Sequence, residues 1–259
     1  MKIAQIQLKV TEDKDENIRQ LAGIMDQLDS GTPDLIALGE MFCCPYGAAD
    51  IAGYAEPEGG RMWTELSGLA RKHGVWLSAG SVPECDDEGH VFNTAYVFDR
   101  NGKMAAKHRK VHMFDVDIPG GKSFRESDTF TPGDRITVFH TEFGPVGLCV
   151  CFDIRFPEMA RKMAEEGVFL ILVPANFTRK TGEDHWELLF RARAVDNQCF
   201  YAGISTAFDE DAPYHSYGHS ILTSPWGEVI AQAGDAPAVL VNEIDPALCA
   251  SIRARLPVL

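Results

Sequence analysis

Three side chains of complementary reactivity stand at comparable places in this sequence: Glu40, Lys110 and Cys151. Each closes or follows a short apolar run that reads as a strand, over residues 34–38, 104–108 and 146–151. Ligands in α/β sheets collect at the carboxyl ends of strands, so the three can converge. Together they make a coherent hydrolytic set. A carboxylate takes a thiol proton and later returns it to a leaving amine. An ammonium stabilises a thiolate and then a tetrahedral oxyanion, and the thiolate supplies the covalent step. Pro157 and Glu158 open a helix just after Cys151. The expected turn between strand and helix presents backbone N–H groups and a positive dipole end, which favour the thiolate. Taken singly, each residue has a plainer reading. Cys151 fits a small buried hydrophobe, Glu40 a loop cap, and Lys110 one charge of the solvated basic run 107–110.

The elements that must position these residues follow from periodicity and punctuation. Residues 2–8 read as a strand, and 13–28 as a helix with apolar spacing at Ile18, Leu21 and Leu28. A second amphipathic helix spans 61–73, with Gly74 as its cap. Strands are expected over 75–81, 91–98 and 104–108, the last two joined around Arg100, Asn101 and Gly102. A long segment, 111–134, carries few periodic apolar residues, as functional loops do. Further strands are expected at 136–140, 169–173, 200–205, 218–223, 229–233 and 239–244. Helices are expected at 157–166, from Thr181 to Asn197, and at 246–255. Strands and helices alternate early, and hairpins follow, which indicates an α/β fold. No linker or repeat divides the chain, so one domain is expected over residues 1–259.

Composition narrows the function classes. The net charge of −14 argues against a nucleic-acid surface. Seven scattered cysteines, an odd number, point to free thiols rather than a disulfide framework. The start of the chain reads as a strand rather than a signal peptide, and no apolar run approaches the ~20 residues of a membrane span. A cytoplasmic protein with no membrane partner is expected. Cys149 and Cys151 would share one face of a strand, but Cys43 and Cys44 lack a zinc-like spacing to join them. No metal and no cofactor is expected.

The segments 39–42 (Gly-Glu-Met-Phe), 107–112 (Lys-His-Arg-Lys-Val-His) and 151–158 (Cys-Phe-Asp-Ile-Arg-Phe-Pro-Glu) resemble the three signature motifs of the nitrilase superfamily, the carbon–nitrogen hydrolases. They occur in the family's order, and the resemblance spans nearly the whole chain. It implies a four-layer αββα sandwich. It also implies that Glu40 is the general base and acid, Lys110 the oxyanion stabiliser and Cys151 the nucleophile. The backbone N–H of Phe152 would be a second oxyanion donor, and Glu126 would orient Lys110 or the substrate. Segments 45–47, 113–120, 124–127, 185–187, 196–198 and 218–220 are similar to the omega-amidase branch, and several are shared with deaminated-glutathione amidases. Omega-amidases hydrolyse the terminal amide of short dicarboxylic monoamides such as alpha-ketoglutaramate and succinamate, to acid and ammonia through a thioester. The far carboxylate of such a substrate calls for a cation. Arg155, Lys122 and Arg179 are the candidates, with Tyr46 as a hydrogen-bond donor and Asn176 and Phe177 as further pocket residues. A homodimer or higher homo-oligomer is implied by family likeness, and residues 252–259 are candidates to cross its interface.

The chain departs from the family pattern at three places. Gly39 replaces a proline, which should loosen the backbone at Glu40. Asn176 replaces a small apolar residue, and Glu183 with Asp184 replace Pro-Ala, which bear on substrate preference. The rivals are another carbon–nitrogen hydrolase (acting on deaminated glutathione, a carbamoyl amide or a nitrile), a metal-dependent hydrolase, and a silent binding protein on the same fold.

Overall fold

The computed structural model describes residues 1–28, 33–47, 50–117, 124–212 and 214–259. The first half of the chain contributes β1 (Lys2–Gln7), α1 (Lys14–Gln27), β2 (Leu35–Leu38), β3 (Glu56–Pro57), α2 (Arg61–His73), β4 (Trp76–Ser78), β5 (Val82–Cys85), β6 (Val91–Phe98) and β7 (Met104–Arg109). The remainder contributes β8 (Asp115–Val116), β9 (Phe124–Arg125), β10 (Thr137–Thr141), β11 (Gly144–Leu148), α3 (Pro157–Glu165), β12 (Leu170–Pro174), α4 (Arg179–Asn197), β13 (Phe200–Ile204), β14 (Ile221–Thr223), β15 (Val229–Gln232), β16 (Ala238–Glu243) and α5 (Ala247–Arg255).

Two mixed sheets result. The first runs β16-β1-β2-β4-β6-β5-β3, with β7 pairing along the other edge of β6, and the second runs β10-β11-β12-β13-β14-β15. Alternation along the strands assigns their two faces. Ile3, Leu35 and Ala37 enter the apolar cluster shared with the second sheet and with α3 and α4. Ala4, Ile6, Ile36 and Leu38 enter the cluster beneath α1 and α2, with Leu21, Met25 and Leu66. The layers are therefore helices, sheet, sheet, helices: the αββα sandwich. Two buried glutamines tie the sheets across the apolar interface. Gln5 Nε2 donates to the carbonyls of Gly203 and Ile221. Gln7 Nε2 donates to Gly234 and Ala236, and its Oε1 accepts from Ser220. Both amide nitrogens are thereby satisfied, as is Gln7 Oε1, whereas Gln5 Oε1 is buried with no partner among the described residues.

Local chemistry sets the helix ends. Asp13 caps α1 by accepting from the N–H groups of Asp15 and Glu16. Gly74 closes α2 at φ 65°, where a Cβ would be strained. Four expectations need correction. The stretch 75–81 is not one strand: it stops at Ser78, and β5, unforeseen, begins at Val82. The long segment after Lys110 contains the small pair β8–β9, which is too short to leave a periodic signature. Helix α4 starts at Arg179, because the Thr178 side chain caps it by accepting from the N–H of Thr181. The strand leading to the cysteine ends at Leu148, three residues early.

Candidate active site

Glu40 lies two residues beyond β2, Lys110 one beyond β7, and Cys151 three beyond β11, all of them buried. The cysteine sits on a 3-10 turn, Cys151–Arg155, and its own φ is +48°. A non-glycine residue in that region is rare and carries strain that its surroundings must hold. They do so from two directions. The buried Asp153 carboxylate accepts from the N–H of Val150 at 3.0 Å, from His108 Nε2 at 3.1 Å, and from both the N–H and Nδ1 of His112 at 2.9 and 2.8 Å. His108 and His112 flank Lys110 at two residues' distance on each side, so one carboxylate joins the cysteine turn to the segment bearing the lysine. From α4, Arg193 Nε donates to the carbonyl of Ile154 at 2.9 Å.

The charged groups meet in the interior. Lys110 Nζ donates to Glu40 Oε1 at 3.0 Å and to Glu126 Oε1 at 2.9 Å. Asn93 Nδ2 donates to the same two oxygens at 2.9 and 3.1 Å, and the N–H of Phe114 holds Glu126 Oε2 at 2.7 Å. Burial alone would pull the Lys110 ammonium down, but Glu126 and Glu40 outweigh it and hold its pKa above the ordinary value. Burial pushes the Glu40 carboxyl up, against the pull of Lys110, and Glu126 adds to the rise. The Cys151 thiol is pushed well up by burial and by the Glu40 charge, with Lys110 and the backbone N–H of Asn176 pulling the other way. The turn therefore does not favour a resting thiolate, contrary to the expectation from helix dipoles. Helix α3 begins only at Pro157, and a dipole acts within about one turn of its end. Glu40 Oε2 has no hydrogen-bond partner of ordinary geometry among the described residues, although it and the thiol alter each other's ionisation.

The sulfur opens on a small pocket shared with Phe114, Phe152, Arg155, Asn176, Phe177 and Tyr214. Arg155 lies over the Phe177 and Phe152 rings at 5.1 and 5.6 Å and donates to His185 Nδ1 at 3.3 Å. No carboxylate pairs with it among the described residues, its Nε is buried without a partner, and burial lowers its pKa. Tyr46 is buried, packs against Phe124 and Tyr214, and has a hydroxyl without a partner among the described residues. Arg179 is elsewhere: it is exposed on the first turn of α4 and paired with Glu183 at 3.1 Å, because the earlier helix start turns it outward. Lys122 lies outside the described residues. The strand alternation expected for Cys149 and Cys151 does not apply beyond Leu148. Gly39 does not loosen Glu40 either. A Cβ there would stand 2.8 Å from the Ser205 backbone, and the Gly39 carbonyl accepts from Ser81. Close approach, not freedom, is what this glycine supplies.

Asn93, Asp153, His108 and Tyr214 escaped the sequence reading. Asn93 had a signal: an asparagine within the apolar strand 91–98 must find a buried partner. Asp153 lies inside the 151–158 motif, but its bracing role had no signal, because its histidine partners are 41 and 45 residues away along the chain.

A buried carboxylate and ammonium beside a thiol, at the strand ends of an αββα sandwich, are the equipment of a covalent carbon–nitrogen bond hydrolase. The family model described as carbon-nitrogen hydrolase matches residues 2–254, and the chain belongs to that family. Hydrolase C26A3.11 of Schizosaccharomyces pombe is 45% identical over 99% of this chain and 80% of its own length. The Homo sapiens protein named omega-amidase NIT2 is 40% identical over 99% of this chain and 93% of its own. Among solved structures, Saccharomyces cerevisiae Nit3, a member of branch 10 of the nitrilase superfamily, superposes with a TM-score of 0.91 at 35% identity, covering 99% of this chain and 94% of that one. The protein is an amidohydrolase.

Proposed function

We propose that the enzyme cleaves the terminal amide of small dicarboxylic monoamides, as the names of its omega-amidase relatives indicate for those proteins. The observation that carries the substrate class is Arg155, a guanidinium with no carboxylate partner among the described residues in the pocket that holds the Cys151 sulfur. A half-buried cation without its counter-ion carries a desolvation cost, and a substrate carboxylate supplies that counter-ion.

In the proposed mechanism Glu40 takes the thiol proton, which its raised pKa equips it to accept. The thiolate attacks the amide carbonyl while Lys110 and the backbone N–H of Phe152 receive the oxyanion. Glu126 holds the ammonium in place. Ammonia departs with the proton from Glu40, and Glu40 then activates water to release the acid and restore the thiol. Phe177 walls the substrate, while Tyr46 stands on the neighbouring cavity that shares Asn176 and Tyr214 with this pocket. Cys151→Ala removes the covalent route, so ammonia release from succinamate should vanish; activity of more than a few per cent would refute the mechanism. The decisive assay is ammonia release across a series of monoamides of differing chain length, with and without the far carboxylate. Preference for an uncharged amide, a peptide-like amide or a nitrile would remove the omega-amide assignment.

The same reading includes self-association. Leu188, Val195 and Trp226 are 64%, 45% and 60% exposed on and beside the outer face of α4. The apolar tail, with exposed Leu256, Val258 and Leu259, docks nearby through Arg161 and Gln198. An apolar face of this kind supports a homodimer or higher homo-oligomer. No helix among the described residues is long and apolar enough to cross a membrane. All seven cysteines are free thiols, which fits the reducing cytoplasm.

A further inference from the structure

A second cavity of about 20 Å³ adjoins the cysteine pocket and shares Asn176 and Tyr214 with it. Met41, the residue after the proposed base, lines it, as do Tyr46, Asn176, Thr206, Ala207 and Ser216. That volume holds one water-sized molecule and nothing larger. Its walls are polar in the way such a molecule requires. The Tyr46 hydroxyl and Asn176 Oδ1 are buried and have no hydrogen-bond partner among the described residues. Thr206 Oγ1 and Ser216 Oγ, 2.9 Å apart, keep unused lone pairs. A buried water makes about three hydrogen bonds to groups of this kind. Tyr46 also links the cavity to the chemistry: beyond the effect of burial, its hydroxyl responds to the charges of Glu126, Glu40 and Cys151.

The two half-reactions need different access to the carbonyl. In the first, amide and thiol become thioester and ammonia. In the second, water oxygen bonds to the acyl carbon, the C–S bond breaks, one water proton returns to sulfur through Glu40, and the free acid forms. During the second step the acyl chain fills the pocket beside Arg155, so water must arrive from another side. Glu40 Oε2, which has no hydrogen-bond partner of ordinary geometry among the described residues, is available to receive its proton. We propose that this adjoining cavity seats the water that hydrolyses the thioester, held by Tyr46 and Asn176 and delivered to Glu40. The proposal rests on the covalent mechanism above but not on the omega-amide assignment.

The test separates the half-reactions. Ala207→Val fills the cavity without touching the triad, and Thr206→Val removes a hydroxyl while keeping its shape. With p-nitrophenyl acetate as substrate, the first-turnover release of nitrophenol should stay at the wild-type rate in both variants. Steady-state turnover should fall roughly tenfold in Ala207→Val and less in Thr206→Val, as loss of a step-specific interaction implies. Acetyl-enzyme should accumulate on Cys151, read by intact mass. Unchanged steady-state turnover in Ala207→Val, or a first turnover that falls in step with it, overturns the proposal. The ester reports acylation whatever the natural amide, so a failed monoamide series removes only the substrate assignment. A wild-type protein that forms no acyl-enzyme with ester or amide overturns the mechanism and the cavity's role together.

Discussion

Glu40 owes its chemical usefulness to a balance of opposed effects. Burial raises its pKa, Lys110 at 3.0 Å lowers it, and Glu126 raises it again. Only the ionised form accepts the thiol proton, so kcat/KM should fall as pH drops through this raised value. The acid limb of the profile is therefore expected above the ordinary glutamate value of about 4.3. A limb at that ordinary value would argue against Glu40 as the base. Arg155 is the second residue whose environment makes a prediction. Arg155→Met keeps bulk over Phe177 and removes the charge. KM for succinamate should rise roughly 10- to 100-fold, the worth of a charge-assisted hydrogen-bonded pair, while butyramide turnover stays near wild type. Equal losses on both amides would assign Arg155 to the fold alone.

Between elements, the critical joint is Asp153. Its carboxyl is held far below the usual range against the cost of burial, chiefly by hydrogen bonds from His108 and His112. A depressed folded-state pKa contributes stability above the unfolded value of about 3.9, and that stability is lost as pH falls through the folded value. Asp153→Asn places an amide N–H₂ where donors already converge. It should cost roughly 3 kcal/mol in denaturant unfolding at pH 7. It should also flatten the loss of stability between about pH 5 and 3 that the linkage predicts for the parent. Parent-like stability at pH 7 would mean that Arg193 and the core hold the turn unaided.

At the scale of the whole molecule, two sheets face each other through an apolar interior that Gln5 and Gln7 cross, and the helices close the outside. The outer face of α4 and its surroundings carry Leu188 and Trp226, the most exposed large apolar side chains among the described residues. Replacing Leu188 and Trp226 together by aspartate should lower the molecular mass seen in sedimentation velocity, with thermal stability at a fixed protein concentration falling alongside it. A monomeric parent protein would exclude the self-association reading.

The sequence by itself determined most elements and the reactive set. Helix caps at Asp13 and Gly74, alternation in β1 and β2, and motifs around Glu40, Lys110 and Cys151 are local, and local chemistry is readable along a chain. The tertiary structure alone decided the rest. It set the strain at Cys151, the upward push on its thiol, the bracing of the turn by Asp153, the outward turn of Arg179 and the lack of a carboxylate partner for Arg155 among the described residues. Ionisation, strain and pairing in this interior depend on groups dozens of residues apart that only packing brings within hydrogen-bond distance, and no periodicity records those meetings.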